Sequence, residues 1–265
     1  MAMDPDFLEE GSRIWPYSAS DRMIRARVSL NLIAATVCWN EMDSDCVTSF
    51  ELSTSTATLT ATLLQPADAV CSLVFAHGAG ADHKHTHMES LAKAFAGVGI
   101  STLRFNFPFK QNGRNRVDSK DVSVDCILDA CKALREKIDL PMFSGGHSFG
   151  GRMATHAAVR GMPDCMGLIL CSFPLHPAGK PGIERVAHFE DLRLPALFLS
   201  GSRDALAEAI LLEAEVKKLG HEYSRLHWLD TADHSYKILK RKRAGADVYE
   251  EAAGAAAEFV NSILV

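Results

Sequence analysis

The sequence has no apolar run that approaches the ~20 residues a helix needs to cross a bilayer. It has no basic excess either, because 28 Lys and Arg residues against 33 Asp and Glu residues give a net charge of −5 at pH 7. Without a basic field, recruitment by nucleic acid or by an anionic membrane is not expected. Internal repeats and low-complexity tracts are also missing, which excludes a repeat architecture. What remains is an ordinary globular composition, with 47% hydrophobic and 23% charged residues.

Seven cysteines are present, an odd number, and no two of them form a C-x-x-C pair. We therefore expect no disulfide framework, and a reducing cytoplasm is the predicted location. Cys71, Cys165 and Cys171 lie in or beside apolar runs and are predicted to be plain core residues. Cys126 and Cys131 lie on a predicted helix and are assigned no chemistry.

Residues 1–41 differ in character from the rest of the chain. Residues 1–7 resemble a vector-encoded leader, and Met42 would then be the native start. Residues 24–32 alternate apolar and polar side chains, which favours a half-buried strand, with a longer helix or a secretory signal as alternatives. We predict that this segment packs on a partner subunit, which would make the protein a homodimer, and that residues 42–265 form a single domain.

Short apolar segments alternate with amphipathic ones along that domain. Strands are predicted at 47–50, 57–64, 71–76, 101–107, 167–173, 195–200 and 224–229, and in the segment before Gly146. One helix is predicted to begin with a capping box of Thr86 and Glu89 and to bury a stripe made of Met88, Leu91, Ala92 and Phe95. A later helix is predicted to bury Leu206, Ile210, Ala214 and Leu219. This alternation predicts an α/β fold with a mostly parallel sheet and helices on both faces.

One motif stands where an apolar strand gives way to a helix: Gly146-His147-Ser148-Phe149-Gly150, a G-x-S-x-G pattern. A turn this tight strains the serine backbone and brings neighbouring backbones together, so the flanking glycines cannot carry large side chains. The strain holds the hydroxyl out of the sheet at a helix N-terminus, where negative charge is favoured. A glycine-rich loop with an incidental serine is the alternative, but the flanking strand and helix favour a nucleophile at Ser148.

Two further strand ends carry residues that would complete this chemistry, since sites in open α/β sheets gather at the carboxyl ends of the strands. Asp204 follows the strand at 195–200, and His234 follows the last predicted strand. A serine hydroxyl needs a positioned base, for which His234 is the candidate, and Asp204 would orient the imidazole. Asp230 and Asp233 remain alternatives for the acid, although Asp233 is adjacent to His234 and adjacent loop residues rarely point at each other.

The chain order Ser, Asp, His resembles that of the α/β-hydrolase superfamily. Three motifs, His-Gly-Ala-Gly at 77–80, Arg-Phe-Asn-Phe-Pro at 104–108 and Gly-His-Ser-Phe-Gly-Gly at 146–151, are similar to those of a small lidless group. That group is related to the dienelactone hydrolases, which usually carry a cysteine nucleophile where this chain has Ser148, and to the testis-expressed, chromatin-complex-associated hydrolase-like proteins. The resemblance covers residue 47 to the C-terminus and implies a serine hydrolase that needs no cofactor.

Attack on an ester carbonyl creates an oxyanion, for which such an enzyme needs N–H donors. The N–H of Phe149 is one expected donor, and the loop after His77 is expected to supply the other from Ala79, with Gly80 as the second choice. His77, Gly80 and His147 are also candidate substrate contacts. His77 would act mainly by shaping the loop through hydrogen bonds, and the His147 ring would point away from the hydroxyl.

Asp82, His83, His85 and His87 form a polar cluster that could suggest a metal site, since alternate histidines can bind zinc. No thiol or second carboxylate lies nearby to complete such a site. We therefore predict no metal and treat the histidines as solvated or pocket-lining residues.

A basic loop with Lys110, Arg114 and Arg116 follows another strand end. Lys110 is a candidate contact for an anionic substrate group. Pairing of the loop with Asp118 and Asp121 in solvent is the favoured alternative, because exposed charges often contribute little.

Lids in this superfamily are usually inserted after the strand that here ends near Phe173, and residues 174–193 are too few for a lipase-type cap. We expect an open pocket for small soluble esters with short acyl chains, and hence a serine carboxylesterase. A thioesterase, lactone hydrolase or peptidase with the same triad is the alternative. A non-catalytic hydrolase-like scaffold is less favoured, because all three triad residues are present.

Overall fold

The computed structural model describes residues 45–239 and 247–265. Outside the described residues lie the predicted leader, the strand at 24–32, the start at Met42 and the proposed dimer contact. The domain boundary and the dimer therefore stay predictions. The cytoplasmic location, which was inferred from the cysteines, also stays a prediction. Within the described part, every helix is too short or too polar to cross a membrane.

Eight strands in the described residues form one sheet in the spatial order β1-β2-β4-β3-β5-β6-β7-β8. Their bounds are β1 Cys46–Ser53, β2 Thr58–Gln65, β3 Cys71–Ala76, β4 Ile100–Phe105, β5 Met142–His147, β6 Cys165–Cys171, β7 Ala196–Gly201 and β8 Arg225–Leu229. Strands β1 and β2 pair antiparallel, and β2 is antiparallel to β4. Every other pairing is parallel, which confirms the predicted mostly parallel sheet.

Helices cover both faces of this sheet, as predicted. They are α1 Thr86–Ala96, α2 Pro108–Gln111, α3 Lys120–Lys137, α4 Phe149–Arg160, α5 Ala209–Lys218 and α6 Val248–Leu264, with a 3-10 helix at Glu184–Asp191. Along β3, Leu73 and Phe75 pack into the core with α1 and α6, whereas Val74 and Ala76 pack into the core with α3, α4 and α5. A strand buried on both faces has no solvent-facing side, which explains why β3 is apolar except for Ser72.

Two helix predictions were wrong in detail. The N-cap of α1 is His85, whose Nδ1 accepts the N–H of His87 at 3.2 Å, so Thr86 is already helical and forms no capping box with Glu89. The predicted stripe of α1, by contrast, is buried.

In α5 the buried residues are Leu212, Glu215 and Val216, whereas Ile210 is 75% exposed. The predicted face of α5 started from Leu206, which precedes the helix, and this placed the stripe on the wrong side.

The predicted strand 101–107 is also shorter than expected. It ends at Phe105, because Phe107 is the N-cap of α2 and Pro108 is its first residue. Proline suits the first helical position, where its missing N–H is not needed. Lys110 therefore lies in a one-turn helix and not in the loop.

Candidate active site

A sharp turn between β5 and α4 presents Ser148 at the carboxyl end of the sheet. Its backbone lies at φ 52° and ψ −114°, the strained conformation expected at this position. A Cβ on Gly146 would lie 2.3 Å from the carbonyl oxygen of Ala76, and a Cβ on Gly150 would lie 2.2 Å from the same oxygen. The two glycines are therefore required by close backbone approach, and they seat the turn against the end of β3.

His234 connects the serine to Asp204. Its Nε2 lies 2.9 Å from Ser148 Oγ, and its Nδ1 lies 2.7 Å from Asp204 Oδ2. The Asp204 side chain is fully buried, and its second oxygen accepts the N–H of Leu206 at 2.8 Å. An ionised carboxylate only accepts, so Nδ1 of His234 carries the proton and Nε2 presents a lone pair to the serine hydroxyl. The structure thus brings the three predicted residues into one hydrogen-bonded row.

Backbone contacts fasten the Asp204 loop to the His234 loop. A Cβ on Gly201 would lie 2.4 Å from the carbonyl oxygen of Ala232. The N–H of Arg203 donates to that same carbonyl at 2.9 Å, and the Arg203 guanidinium donates to the carbonyl of Thr231 at 3.0 Å. These contacts fix the separation of the carboxylate and the imidazole.

The alternative acids have other partners. Asp230 Oδ1 accepts the N–H of Thr231 at 2.8 Å. Asp233 Oδ1 accepts the N–H groups of Ser235 and Lys237 at 2.9 and 3.0 Å, which closes the loop around His234.

The loop between β3 and α1 lies beside the serine, where the oxyanion donors were predicted. A Cβ on Gly78 would stand 3.5 Å from the Cβ of Ser148. Phe149 is the first residue of α4, and no described residue accepts a hydrogen bond from its N–H or from the N–H of Ala79. A Cβ on Gly80 would meet nothing within 4 Å. Their roles as donors and contacts stay predictions.

His77 is fully buried beneath this loop. Its Nε2 accepts the N–H of Phe107 at 3.1 Å, so its Nδ1 carries the proton and donates to the carbonyl of Gly78 at 2.8 Å. Burial lowers the pKa of His77 to about 4, which keeps the ring neutral. These bonds are consistent with the loop-shaping role predicted for His77.

His147 occupies an environment that the sequence did not suggest. The residue is only 8% exposed, and its Nε2 lies 2.9 Å from the carbonyl oxygen of His234. Burial lowers the pKa of His147 to about 4. The ring contacts the backbone of the base, where a substrate contact was predicted, and its predicted orientation away from the serine hydroxyl stays a prediction.

The three histidines of the polar cluster point to different partners. His83 Nδ1 lies 2.8 Å from Asn106 Oδ1, and His87 Nδ1 lies 3.0 Å from the hydroxyl of Tyr249. His85 caps α1. Among the described residues, no group of three or more His, Cys, Asp or Glu side chains could hold a metal ion.

The basic loop is partly paired, as its favoured interpretation predicted. Arg114 contacts Asp118 at 2.7 Å, but Asp121 pairs with Arg160 and not with the loop. The ammonium of Lys110 lies 5.9 Å from the centroid of the Phe109 ring. A contact between Lys110 and substrate stays a prediction.

The structure combines three features of α/β hydrolases: the sheet order, the strained serine and the Ser-His-Asp row. The sequence model of the alpha/beta hydrolase domain matches residues 69–262, and the chain therefore belongs to the α/β-hydrolase family.

Among solved structures, the fold is similar to that of a dienelactone hydrolase from Anabaena variabilis, with 17% identity, a TM-score of 0.68, and coverage of 84% of this chain and 99% of that one. It is also similar to Est1E from Butyrivibrio proteoclasticus with ferulic acid bound, with 17% identity, a TM-score of 0.64, and coverage of 81% and 99%. A serine hydrolase without a lid from Xanthomonas campestris matches with 16% identity, a TM-score of 0.62, and coverage of 85% and 97%. At these identities the likeness is one of fold.

Proposed function

We propose that this protein is a serine carboxylesterase that hydrolyses small esters through an acyl-enzyme on Ser148. The observation that carries the proposal is the row of hydrogen bonds from Ser148 through His234 to Asp204, at 2.9 and 2.7 Å. A serine hydroxyl is a weak nucleophile at neutral pH, and this arrangement supplies the base that it needs.

The reaction follows from where the protons lie. As Ser148 Oγ bonds to the ester carbonyl carbon, its proton passes to His234 Nε2, and the carbonyl oxygen becomes an oxyanion. When the ester C–O bond breaks, His234 returns that proton to the leaving alkoxide, which departs as the alcohol. Water then attacks the acyl-enzyme by the same route, giving the acid and restoring the serine hydroxyl. Asp204 stabilises the imidazolium that forms in each half of the reaction.

The oxyanion would be held by the N–H groups of Phe149 and Ala79, with Gly80 as the alternative to Ala79. Support for this assignment comes from the seating of the β3–α1 loop against Ser148 and from the absence of an acceptor for either N–H among the described residues. Donors that are already in place cost no reorganisation, and loss of one typically raises the barrier by about 3–4 kcal/mol.

A small substrate is supported by what surrounds the serine. The chain between Cys171 and Ala196 contains a single 3-10 helix, which is not enough to form a cap. The half-buried ring of Phe149 packs edge-on against Phe107 and Phe109, with ring centroids 5.4 and 6.1 Å away. This apolar wall next to the nucleophile suits a short acyl chain, and Lys110 is proposed to favour an anionic substituent.

Labelling with a fluorophosphonate probe tests the nucleophile. We expect the wild type to be labelled and Ser148→Ala to be inert. Ser200→Ala is a matched control, because Ser200 is a buried serine of β7 and its removal should leave labelling intact. Labelling that survives in Ser148→Ala would refute the assignment.

A substrate panel tests the reaction class. The rates of hydrolysis are compared for an aryl acetate, an acyl thioester, a lactone and an aminoacyl anilide. We expect the aryl acetate to be hydrolysed fastest. A preference for one of the other three would replace the esterase with that activity, and a strong preference for long-chain triglyceride would contradict the open pocket. No labelling and no hydrolysis by the wild type would favour a non-catalytic scaffold.

A further inference from the structure

His147 takes no part in the proton transfers just described, yet it belongs to the nucleophile turn and its ring lies against two other loops of the site. It directly precedes Ser148 in the turn. Its Nδ1 lies 2.9 Å from the point where a Cβ on Gly78 would stand, against the β3–α1 loop. Its Nε2 lies 2.9 Å from the carbonyl oxygen of His234.

The direction of this last hydrogen bond is fixed. A carbonyl oxygen only accepts, so the proton of the neutral ring is on Nε2, and His147 donates to the backbone of His234. Burial lowers the pKa of His147 to about 4, so the donor carries no charge near neutral pH. A permanent cation here would face the imidazolium formed on His234, whose ring centroid is 5.2 Å away. The His147 ring thus supplies an N–H donor beside His234 without adding a positive charge.

The loop that carries His234 is held on both sides of it. Thr231 and Tyr236 both have a positive φ, at 57° and 61°. The hydroxyl of Tyr236 donates to the carbonyl of Leu199 at 2.9 Å, and the Asp233 carboxylate accepts the N–H groups that follow His234. These contacts anchor the neighbours of His234, whereas the bond from His147 holds the carbonyl of His234 itself.

Packing prevents the His147 ring from turning away. The ring of His87 meets it edge to face, with centroids 4.5 Å apart and planes at 73°. His87 is in turn held by the hydroxyl of Tyr249 from α6 and by the ring of Tyr236, 5.1 Å away. Helices α1 and α6 therefore support the ring from behind.

We propose that His147 is a positioning residue for the base of this enzyme. Its Nε2–H holds the carbonyl of His234, ties the base loop to the nucleophile turn, and so keeps His234 Nε2 within hydrogen-bonding distance of Ser148 Oγ. This inference rests on the proposed function, because it assigns a role relative to His234 as base.

Two substitutions separate the hydrogen bond from the volume of the ring. His147→Gln keeps a neutral N–H donor at about the reach of Nε2, whereas His147→Leu fills the space without a donor. With an aryl acetate, we expect His147→Leu to lower kcat roughly 10- to 100-fold and leave KM within about twofold, since a misplaced catalytic group costs rate more than binding. His147→Gln should retain kcat within about threefold of the wild type.

His227→Leu provides the matched control, because it makes the same change at a half-buried histidine of β8, where Nε2 meets Glu251 at 3.1 Å. We expect kcat and KM of this variant to equal those of the wild type. Thermal unfolding of all variants shows whether the His147 substitutions leave a folded protein. If His147→Leu does not fold, His147→Asn decides, because its amide is one methylene too short to reach the carbonyl and it should lose kcat relative to His147→Gln.

The outcomes separate this inference from the proposed function. If the wild type hydrolyses the ester and is labelled at Ser148 while His147→Leu keeps full kcat, the positioning role is wrong and the esterase proposal stands. Equal losses in His147→Gln and His147→Leu, or equal kcat in the Gln and Asn variants, would also overturn it. If the wild type neither hydrolyses esters nor is labelled, the proposed function fails first.

Discussion

Gly201→Ala tests whether the distance between two loops controls activity. A Cβ at this position would lie 2.4 Å from the carbonyl oxygen of Ala232 and 2.8 Å from that of Asp233, in the backbone that leads to His234. Real Cβ atoms essentially never show contacts under 3.0 Å. The two loops must therefore part by at least 0.6 Å, the difference between 2.4 and 3.0 Å.

This displacement acts on the link between Asp204 and His234. If the parting is transmitted along that hydrogen bond, its length rises from 2.7 Å to about 3.3 Å, past the usual limit of about 3.2 Å. A misplacement of about 1 Å costs on the order of 100-fold in rate, so we expect kcat to fall roughly 10- to 100-fold. Overpacking of this kind also lowers the free energy of unfolding by about 1–3 kcal/mol.

The assay is steady-state hydrolysis of an aryl acetate together with urea denaturation. Gly254→Ala is the matched control, because a Cβ at that position in α6 meets nothing within 4 Å. It should leave kcat unchanged and raise the free energy of unfolding by about 0.5–1 kcal/mol, since alanine replaces glycine inside a helix. Wild-type kcat in Gly201→Ala would refute the reasoning, and so would a loss of rate fully accounted for by the unfolded fraction.

Two further predictions concern charge and protonation. Asp204→Asn keeps the shape of the buried side chain but removes the charge that holds the proton on His234 Nδ1, so kcat should fall about 10⁴-fold; aryl acetate turnover measures it, and retention within tenfold of the wild type would contradict the role. Burial lowers the pKa values of His77 and His147 from 6.5 to about 4. As the pH falls, the two imidazoles are therefore protonated in the unfolded chain before they are protonated in the folded protein. The stability associated with each neutral ring is fully present above about pH 6.5 and is lost as the pH falls to about 4, by up to about 3 kcal/mol per histidine. Urea denaturation at a series of pH values checks this, and a free energy of unfolding that stays constant from about pH 7 to about pH 4 would rule it out.

Strand positions were predictable from sequence where a strand is covered on both faces, because such a strand appears as an apolar run. The run 71–76 is buried throughout and apolar except for Ser72, because both faces of β3 are covered, and its predicted bounds match the strand. Helix details depended on contacts that spacing does not encode. At α1, the side chain of His85 caps the helix one residue before Thr86, and at α5 the helix turns Leu212 toward the sheet and Ile210 toward solvent.

The site was predictable to the extent that it follows strand ends. Ser148, Asp204 and His234 each lie just beyond a strand, and parallel strands bring such residues to one edge of the sheet. The bond from His147 to the carbonyl of His234 joins positions 87 residues apart and leaves no local pattern. The same holds for the contact of His87 with Tyr249 across α1 and α6. The sequence offered only one signal for His147, namely its place beside the nucleophile.

Close approach of backbones sets the geometry of this site as much as its polar side chains do. The nucleophile turn rests on the carbonyl of Ala76 through Gly146 and Gly150, and the acid loop rests on the carbonyl of Ala232 through Gly201. These contacts leave no room for a Cβ, and the loops cannot slide past one another while they persist. The hydrogen bonds of His234 with Asp204 and Ser148, at 2.7 and 2.9 Å, join three separate loops and depend on this constraint. Loop backbones held only by exposed side chains would move by more than the distance range of such bonds allows. Substitutions at these glycines therefore move the reacting groups of the triad without removing any of them. Such variants report how much of the rate depends on the positions of these groups, whereas replacing a triad residue removes the group itself.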